Sequence, residues 1–214
     1  MKKNLLRNLI ACSLAVLVTS TGVIWAQQKQ KKELEEPIEK QFNKYQPPLK
    51  IMDAIGLKPG MVIGDIGAGG GRFTVWFADR VGETGEVYAN DIDMGVLFHL
   101  VGRVKWHDFK NVNLRLGTVV DPNIPEGVLD IAFMIDVFHH LEKPVGLVRN
   151  LGPALKPGGI LVIVESDPEE HPDSGTESTP KGKLLEEVVQ AGFELIKIET
   201  FLPRDNIYFF RLKK

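Results

Sequence analysis

Short apolar runs alternate with longer amphipathic segments along the chain from residue 49 onward. The runs have the length of β-strands, and the segments between them carry apolar residues at helical spacing, as Phe73, Phe77 and Val81 do. The predicted strands are 61–66, 86–91, 112–116, 129–135, 160–165, 193–200 and 207–212, and the predicted helices are 73–81, 94–106, 145–155 and 181–191. Because near-continuous apolar strands alternating with helices form parallel sheets covered on both faces, the pattern predicts an α/β fold. The last two predicted strands, joined directly by a turn, add an antiparallel strand.

The first 26 residues have a different pattern. Three basic side chains within the first seven positions precede the apolar run 9–18, and Ala26 provides a small residue at a candidate cleavage site. The apolar character continues in diluted form to Ala26, so an uncleaved anchor is the alternative, although a membrane span needs about 20 apolar residues. Residues 1–26 are therefore predicted to be a signal peptide or membrane anchor. We expect an exported protein, whose uncleaved form would associate with the membrane through residues 9–26.

Charge and cysteine content limit what the rest of the chain can bind. Residues 27–48 are polar and charge-rich, and we interpret them as a polar linker with a short helix before a domain over 49–214. The chain has 26 Lys and Arg against 28 Asp and Glu, so without its basic leader it is acidic, which argues against a nucleic-acid partner. The single cysteine, Cys12, lies in the leader, which excludes disulfides, Cys-rich zinc sites and Cys nucleophiles from the domain.

The strongest chemical signal is the glycine-rich segment 65–71 (DIGAGGG), which follows the first predicted strand and precedes a helix. Glycines let the backbone approach a ligand closely, and a helix N-terminus presents unpaired N–H groups. Asp91 ends the next strand, where a carboxylate can accept hydrogen bonds from both hydroxyls of a nucleoside ribose. The pair fits a dinucleotide or S-adenosylmethionine. Arg72 stands where the dinucleotide pattern requires its last glycine, which disfavours a nicotinamide-dependent oxidoreductase.

Four motifs resemble those of class I S-adenosylmethionine-dependent methyltransferases, in the order and spacing of that family. They are VIGDIGAGGGRF (62–73), VYANDID (87–93), LDIAFMIDVFHHL (129–141) and LKPGGILVIVE (155–165). The resemblance covers about residues 48–214 and is greatest to small, signal-bearing bacterial proteins of the family. It implies a Rossmann-like doubly wound sheet of about seven strands whose last strand is antiparallel, with S-adenosyl-L-methionine as the cofactor.

The resemblance also implies a cofactor-binding set at the ends of the first four strands. The set is Asp65, Gly67, Ala68, Gly69, Gly71, Asp91, Ile92, Thr118 and Asp136. In the family the glycine loop lines the methionine and the ribose, with the acidic residue at position 65 near the ammonium end. Asp91 would bind the ribose hydroxyls, Ile92 would lie against the adenine face, and Asp136 would lie beside the methyl-donor centre. The family often has an aspartate after the third strand for the adenine amino group; Thr118 stands there instead.

Catalysis at this edge would need a group that orients or deprotonates the acceptor. His139 and His140 follow Asp136 directly, so one of them is the candidate general base, with Glu165 at the end of the fifth strand as a weaker candidate.

Residues and motifs that the sequence lacks narrow the range of methyl acceptors. Without a cysteine the domain cannot methylate pyrimidine C5 through a thiol adduct, and segment 135–138 (IDVF) lacks the Pro-Pro element expected for amino methylation of bases. No inserted domain separates the motifs. We therefore expect a small-molecule or lipid-like acceptor; the alternative is an exported, non-catalytic ligand-binding module that retains the fold.

Overall fold

The computed structural model describes residues 34–170 and 177–213 of the chain. The predicted signal peptide or anchor and the linker residues up to 33 lie outside the described residues. Among the residues that are described, no helix is both long and apolar enough to cross a bilayer.

The described residues fall into two units, of which the first ends at Lys40 and the second begins at Gln41. The described part of the first unit contains a 3₁₀ helix, Pro37–Glu39. The second unit holds the glycine-rich segment and all the described strands. It begins before residue 49, where the sequence placed the start of the domain, because the polar segment 41–48 already belongs to it.

Strands and helices alternate through the second unit as the apolar pattern predicts. Within the described ranges the helices are α1 (Lys40–Asn43), α2 (Pro48–Ala54), α3 (Thr74–Val81), α4 (Met94–Trp106), α5 (Pro144–Leu151) and α6 (Lys181–Gln190). The strands are β1 (Val62–Ile66), β2 (Glu86–Asp91), β3 (Val112–Leu116), β4 (Leu129–Ile135), β5 (Leu155–Ser166), β6 (Phe193–Glu199) and β7 (Asp205–Leu212).

These strands form one seven-stranded sheet in the order β3-β2-β1-β4-β5-β7-β6. The first five strands are parallel, and β7 runs antiparallel to both β5 and β6. The predicted fold class is therefore confirmed, including the reversed last strand. The chain passes from β1 to β2 and β3 on one side of the sheet, and then returns to β4 on the other side of β1. This reversal of strand order opens a crevice at the carboxyl ends of β1 and β4, where such folds bind ligands.

Aromatic packing fixes the helix that follows the glycine loop. The rings of Phe73, Phe77 and Phe133 lie 5.0–5.6 Å apart in a cluster that joins the start of α3 to β4. All three side chains are buried, and each contributes about 1.5–3 kcal/mol by leaving water. This packing holds the first turn of α3, and the loop before it, against the middle of the sheet.

The fifth strand differs most from its predicted bounds. The segment 156–159 (KPGG) was expected to separate a helix from the fifth strand, yet β5 already begins at Leu155. Leu155 pairs with Leu129 and Ile160 pairs with Ile131, so four residues of β5 lie opposite Asp130 alone as a bulge. Asp130 stabilises the bulge because its carboxylate accepts hydrogen bonds from Lys156 Nζ (2.7 Å) and from the backbone N–H of Val62 (2.8 Å).

Candidate functional site

The glycine loop turns sharply at the end of β1. Gly67, Gly69 and Gly71 have φ angles of 72°, 53° and 83°, a region that glycine enters without the steric cost of a side chain. The backbone N–H groups of Gly67 and Ala68 donate to the carbonyl of Asn90 at 2.9 and 2.8 Å, which ties the loop to the end of β2. The loop conformation is therefore set by backbone geometry.

The three glycines meet different surroundings. A Cβ at Gly67 would clash with the side chain of Val137, and one at Gly71 would clash with Leu100, whereas one at Gly69 would have no atom within 4 Å. Two of the glycines are needed for packing, and the middle one faces open space. The contact at Gly67 also brings the loop against the turn that follows β4.

Asp91 closes onto this loop. Its Oδ2 accepts a hydrogen bond from the backbone N–H of Gly69 at 2.9 Å, and its Oδ1 accepts one from the backbone N–H of Asp93 at 3.0 Å. A carboxylate oxygen has two acceptor positions, so each oxygen retains one for a ligand hydroxyl. The neighbouring Ile92 is 59% exposed and offers an apolar surface beside the carboxylate. This arrangement fits a ribose with two adjacent hydroxyls and a planar base.

Asp65 and Thr118 have mainly local partners. Asp65 is buried at the end of β1, where its Oδ2 accepts from Thr74 Oγ1 at 2.6 Å, and burial raises its pKa to about 6. Thr118 follows β3, and its hydroxyl oxygen accepts from the backbone N–H of Asp121 at 3.0 Å. Asp65 therefore fastens the loop to the first turn of α3, and Thr118 caps its own turn while its O–H can still donate.

A network of buried and part-buried polar side chains surrounds Asp136, which has a φ of 54° directly after β4. Gln46 Nε2 donates to Asp136 Oδ1 at 2.9 Å and to Asp205 Oδ2 at 3.2 Å, so one amide bridges two carboxylates. Arg72 Nη2 donates to Gln46 Oε1 at 2.5 Å, Nη1 donates to Asn43 Oδ1 at 3.1 Å, and the guanidinium lies 3.5 Å from Asp136 Oδ2. The network joins the N-terminal part of the domain to the glycine loop and to the end of β4.

The charges in this network influence one another. Burial, followed by the charge of Asp136, raises the pKa of Asp205 to about 6. Asp205 pairs with Ser166 at the end of β5, next to Glu165. The site beyond β4 and β5 is therefore acidic, and the guanidinium groups of Arg72 and Arg204 provide positive charge beside the carboxylates.

The two histidines have different surroundings. His139 Nδ1 lies 2.5 Å from Glu165 Oε1, and the side chains of the two residues are 11% and 1% exposed. The hydrogen bond to Glu165 raises the pKa of His139. His140 is exposed, with its ring 4.0 Å from that of His139. Among the described residues no group of three or more His, Cys, Asp or Glu side chains is arranged to hold a metal ion.

Comparison with known proteins agrees with this geometry. The family model described as "Methyltransferase domain" matches residues 64–163. A SAM-dependent methyltransferase from Aquifex aeolicus has a TM-score of 0.75 and 26% identity, over 86% of this chain and 96% of that one. The chain therefore contains a methyltransferase domain, of which residues 64–163 are the part that the family model matches. The predicted resemblance to class I S-adenosylmethionine-dependent methyltransferases is thus confirmed.

Two further known proteins are similar to this chain. A ubiquinone/menaquinone biosynthesis C-methyltransferase from Shewanella sp. (strain ANA-3) is 30% identical over 123 residues, which are 56% of this chain and 48% of that protein. The chain thus spans about half the length of the curated relatives it matches. A fibrillarin from Aeropyrum pernix, solved with natively bound S-adenosyl-L-methionine, shares the fold with a TM-score of 0.57 and 20% identity, over 72% of this chain and 67% of that one.

The methyltransferase site contains residues that the sequence did not single out. Asn43 and Gln46 fall in the segment interpreted as linker, Asp205 falls in a predicted turn, and Arg72 was noted only for excluding a dinucleotide. Gln46 lies 90 positions from Asp136 and 159 from Asp205, so no spacing signal relates them. The position of Glu165 at the end of β5, which the sequence did indicate, is the one signal that leads to the His139 contact.

Proposed function

We propose that this protein transfers a methyl group from S-adenosylmethionine to a small, lipid-like acceptor. The observation that carries the proposal is the 2.9 Å hydrogen bond between the backbone N–H of Gly69 and Asp91. It places a carboxylate with spare acceptor positions on the rim of a loop whose middle glycine faces open space. The residues present therefore fit the cofactor, with the glycine loop and Asp91 holding its nucleoside. When bound, S-adenosylmethionine supplies a methyl group that its positively charged sulfur activates for displacement.

Apolar side chains support an acceptor with lipid character. Phe42 and Tyr45 are both exposed, and they precede the buried Gln46 in the same segment. The guanidinium of Arg72 lies 5.9 Å from the Phe42 ring, and that of Arg204 lies 3.8 Å from the Tyr45 ring. The acidic site is thus bordered by aromatic rings. The Shewanella relative, named for ubiquinone and menaquinone biosynthesis, suggests an isoprenoid quinol as the first acceptor to test.

His139 is the general base of this proposal. Because Glu165 engages Nδ1, a neutral His139 that donates from Nδ1 presents an unprotonated Nε2 to the acceptor. His139 would take an acidic hydroxyl proton at Nε2, and Glu165 would stabilise the imidazolium that results. Removing such a proton makes the acceptor more nucleophilic, and a positioned base typically accelerates a reaction about 10²–10⁴-fold.

The experiment that tests the cofactor site is calorimetric titration of the protein with S-adenosylhomocysteine. Asp91→Ala removes acceptors for both ribose hydroxyls, which costs about 1.5–3 kcal/mol, or about ten- to a hundredfold in Kd. Asp53→Ala is the matched control, because Asp53 pairs with Arg80 away from the loop. Failure of the unaltered protein to bind would reject the cofactor site, and equal binding by Asp91→Ala would reject the role of Asp91.

A turnover assay distinguishes an enzyme from a non-catalytic ligand-binding module. The probe is a reduced, short-chain isoprenoid naphthoquinol that lacks the ring methyl group, with S-adenosylhomocysteine release as the readout. Release above the rate without the quinol supports methyl transfer to this acceptor class. Tight cofactor binding without release for this and other hydroxylated lipid acceptors would favour the non-catalytic alternative.

Export is a separate part of the proposal. Its support is the sequence of the leader alone: basic side chains in the first seven positions, the apolar run 9–18 and Ala26. Intact-mass measurement of the protein from its native host tests it. A mature N-terminus near Gln27 is expected for a cleaved signal, and a full-length, membrane-bound product for an anchor. A full-length product free of the membrane would contradict both.

A further inference from the structure

Gln46 is a polar residue that the fold buries and fixes. It lies between α1 and α2 and is only 1% exposed. Its backbone N–H donates to the carbonyl of Phe42 at 2.9 Å, which continues the last turn of α1, and the following Pro47 disfavours a further helical residue at this position. A segment that the sequence presents as a linker thus delivers an amide to the interior.

The partners of Gln46 determine which way its amide faces. Arg72 Nη2 donates to Gln46 Oε1 at 2.5 Å, and a guanidinium has only donors, so the atom beside it must be the amide oxygen. The amide nitrogen therefore faces the two carboxylates, and it donates to Asp136 Oδ1 at 2.9 Å and to Asp205 Oδ2 at 3.2 Å. One neutral side chain is thereby inserted between a cation and two anions.

This insertion keeps Arg72 from pairing closely with Asp136. Arg72 Nη2 lies 3.5 Å from Asp136 Oδ2, whereas a charge-assisted hydrogen bond between such groups measures roughly 2.7–2.9 Å. The guanidinium is also held over the ring of Phe73, 4.7 Å from its centre. The side chain of Asp136 is 44% exposed, so its carboxylate remains open at the carboxyl end of β4.

The open carboxylate lies at one end of the proposed cofactor site. With the ribose hydroxyls at Asp91 and the base against Ile92, the 5′ carbon of the nucleoside, which carries the sulfur, would point along the glycine loop toward β4. The loop reaches the end of β4, because a Cβ at Gly67 would lie 2.5 Å from the side chain of Val137. Val137 directly follows Asp136, so the carboxylate lies on the side of the site where the sulfur would be.

Building on the proposed function, we propose that Gln46 is a positioning residue for the cofactor. By holding Arg72 and Asp136 apart, it leaves the Asp136 carboxylate available to attract the positively charged sulfur of S-adenosylmethionine. S-adenosylhomocysteine has the same framework with an uncharged sulfur and gains nothing from this carboxylate. After methyl transfer the attraction is therefore absent, which favours release of the product.

The test is calorimetric titration of the full chain with S-adenosylmethionine and, separately, with S-adenosylhomocysteine. The readout is the ratio of the Kd for S-adenosylmethionine to the Kd for S-adenosylhomocysteine. Asp136→Asn keeps an acceptor for Gln46 but removes the negative charge, and it should raise this ratio about tenfold. A purely structural loss weakens both ligands alike and leaves the ratio unchanged.

Gln46→Met tests the positioning role without changing the charge of the site. Once the amide is removed, Arg72 can pair directly with Asp136 and neutralise it, so the ratio should rise about three- to tenfold. In an Asp136→Asn background, Gln46→Met should not raise the ratio further, because the carboxylate on which Gln46 acts is already absent. Gln41→Met, which replaces an exposed glutamine of α1, is the matched control and should leave the ratio unchanged.

Three results would overturn this role of Gln46. An unchanged ratio in Asp136→Asn would show that the carboxylate does not act on the sulfur. An unchanged ratio in Gln46→Met, beside a raised one in Asp136→Asn, would show that Asp136 acts without help from Gln46. An equal rise for Gln46→Met in both backgrounds would mean that it acts through another group. Failure of the unaltered protein to bind either ligand would instead reject the cofactor site itself, and the role of Gln46 with it.

Discussion

The two sides of the crevice are built by different physical means. On the cofactor side, the loop 67–71 is shaped by glycine conformations and by backbone hydrogen bonds to the end of β2, with Asp91 as its charged side chain. Beyond β4 and β5, charged and amide side chains contact one another directly and are supplied by segments up to 159 positions apart. The proposed cofactor side is thus built from local backbone geometry, and the proposed acceptor side is electrostatic and assembled from distant residues.

This difference implies different sensitivities. A loop held by backbone geometry responds mainly to the size of a substituted side chain, and its pH dependence comes from the buried Asp65 that fastens it to α3. Buried carboxylates such as Glu165 and Asp205 are stable only while their partners remain, because an unpaired buried charge is costly. Substitutions on the two sides should therefore differ in kind, and each of the following experiments tests that.

The largest effect is expected at His139. His139→Ala removes the proposed base and should lower kcat about 10²–10⁴-fold, while the Kd for S-adenosylhomocysteine stays unchanged because the cofactor side is built separately. His140→Ala, which replaces the exposed neighbour, should lower kcat far less. If His140→Ala has the larger loss in kcat, the roles of the two histidines are reversed. If both variants react at the wild-type rate, neither histidine is a base, and positioning of the acceptor beside the methyl group accounts for catalysis.

Glu165→Gln tests the role of His139 through the pH dependence of the rate. The carboxylate raises the pKa of His139, and a base acts in its neutral form, so the rate should rise as pH increases through that pKa. Without the carboxylate the pKa of His139 falls, and the rising limb of the pH–rate profile should move to lower pH while the maximal rate decreases. A slower enzyme with an unmoved limb would show that Glu165 acts only on folding.

Sequence reasoning succeeded on one side of the crevice for the same reason. The glycine loop and Asp91 lie at the ends of adjacent strands, so spacing along the chain predicts their meeting. Gln46 and Asp205 are buried polar residues in segments without hydrophobic periodicity, and such segments resemble linkers and turns. His139 and His140 are adjacent in a 3₁₀ turn, and periodicity does not decide which of the two faces Glu165.

The next effect concerns Asp65, a buried charge on the cofactor side. Its pKa is raised from 3.8 to about 6, so between these values the folded state binds a proton that the unfolded state has lost. The free energy of unfolding therefore decreases as pH rises from 4 to 6, by about 3 kcal/mol at most. Asp65→Asn keeps an acceptor for Thr74 and should remove this decrease. Denaturant unfolding of both proteins at pH 4, 5, 6 and 7 measures it, and parallel curves would contradict it.

A smaller loss is expected where Gln46 bridges the two carboxylates. Gln46→Leu removes the amide that donates to both Asp136 and Asp205, which costs about 1–3 kcal/mol. The loss should be larger at pH 8 than at pH 5, because Asp205, with a pKa of about 6, is protonated at the lower pH and the repulsion disappears. Gln41→Leu, an exposed glutamine in α1, is the control. A pH-independent loss would mean that packing, not charge, holds the network.

The smallest change in stability is expected at Gly69. Alanine there would be strained by the φ of 53°, at a cost of about 1–2 kcal/mol, but its Cβ would clash with nothing. At Gly71 the same substitution adds a clash with Leu100, so Gly71→Ala should unfold at lower denaturant concentration than Gly69→Ala. Binding should be affected differently from stability, because the Cβ at position 69 projects into the space proposed for the nucleoside. Gly69→Ala should therefore weaken S-adenosylhomocysteine binding more than its modest loss of stability suggests. Unchanged binding would show that the cofactor does not occupy the open space beside Gly69. The glycine loop would then bind a different ligand.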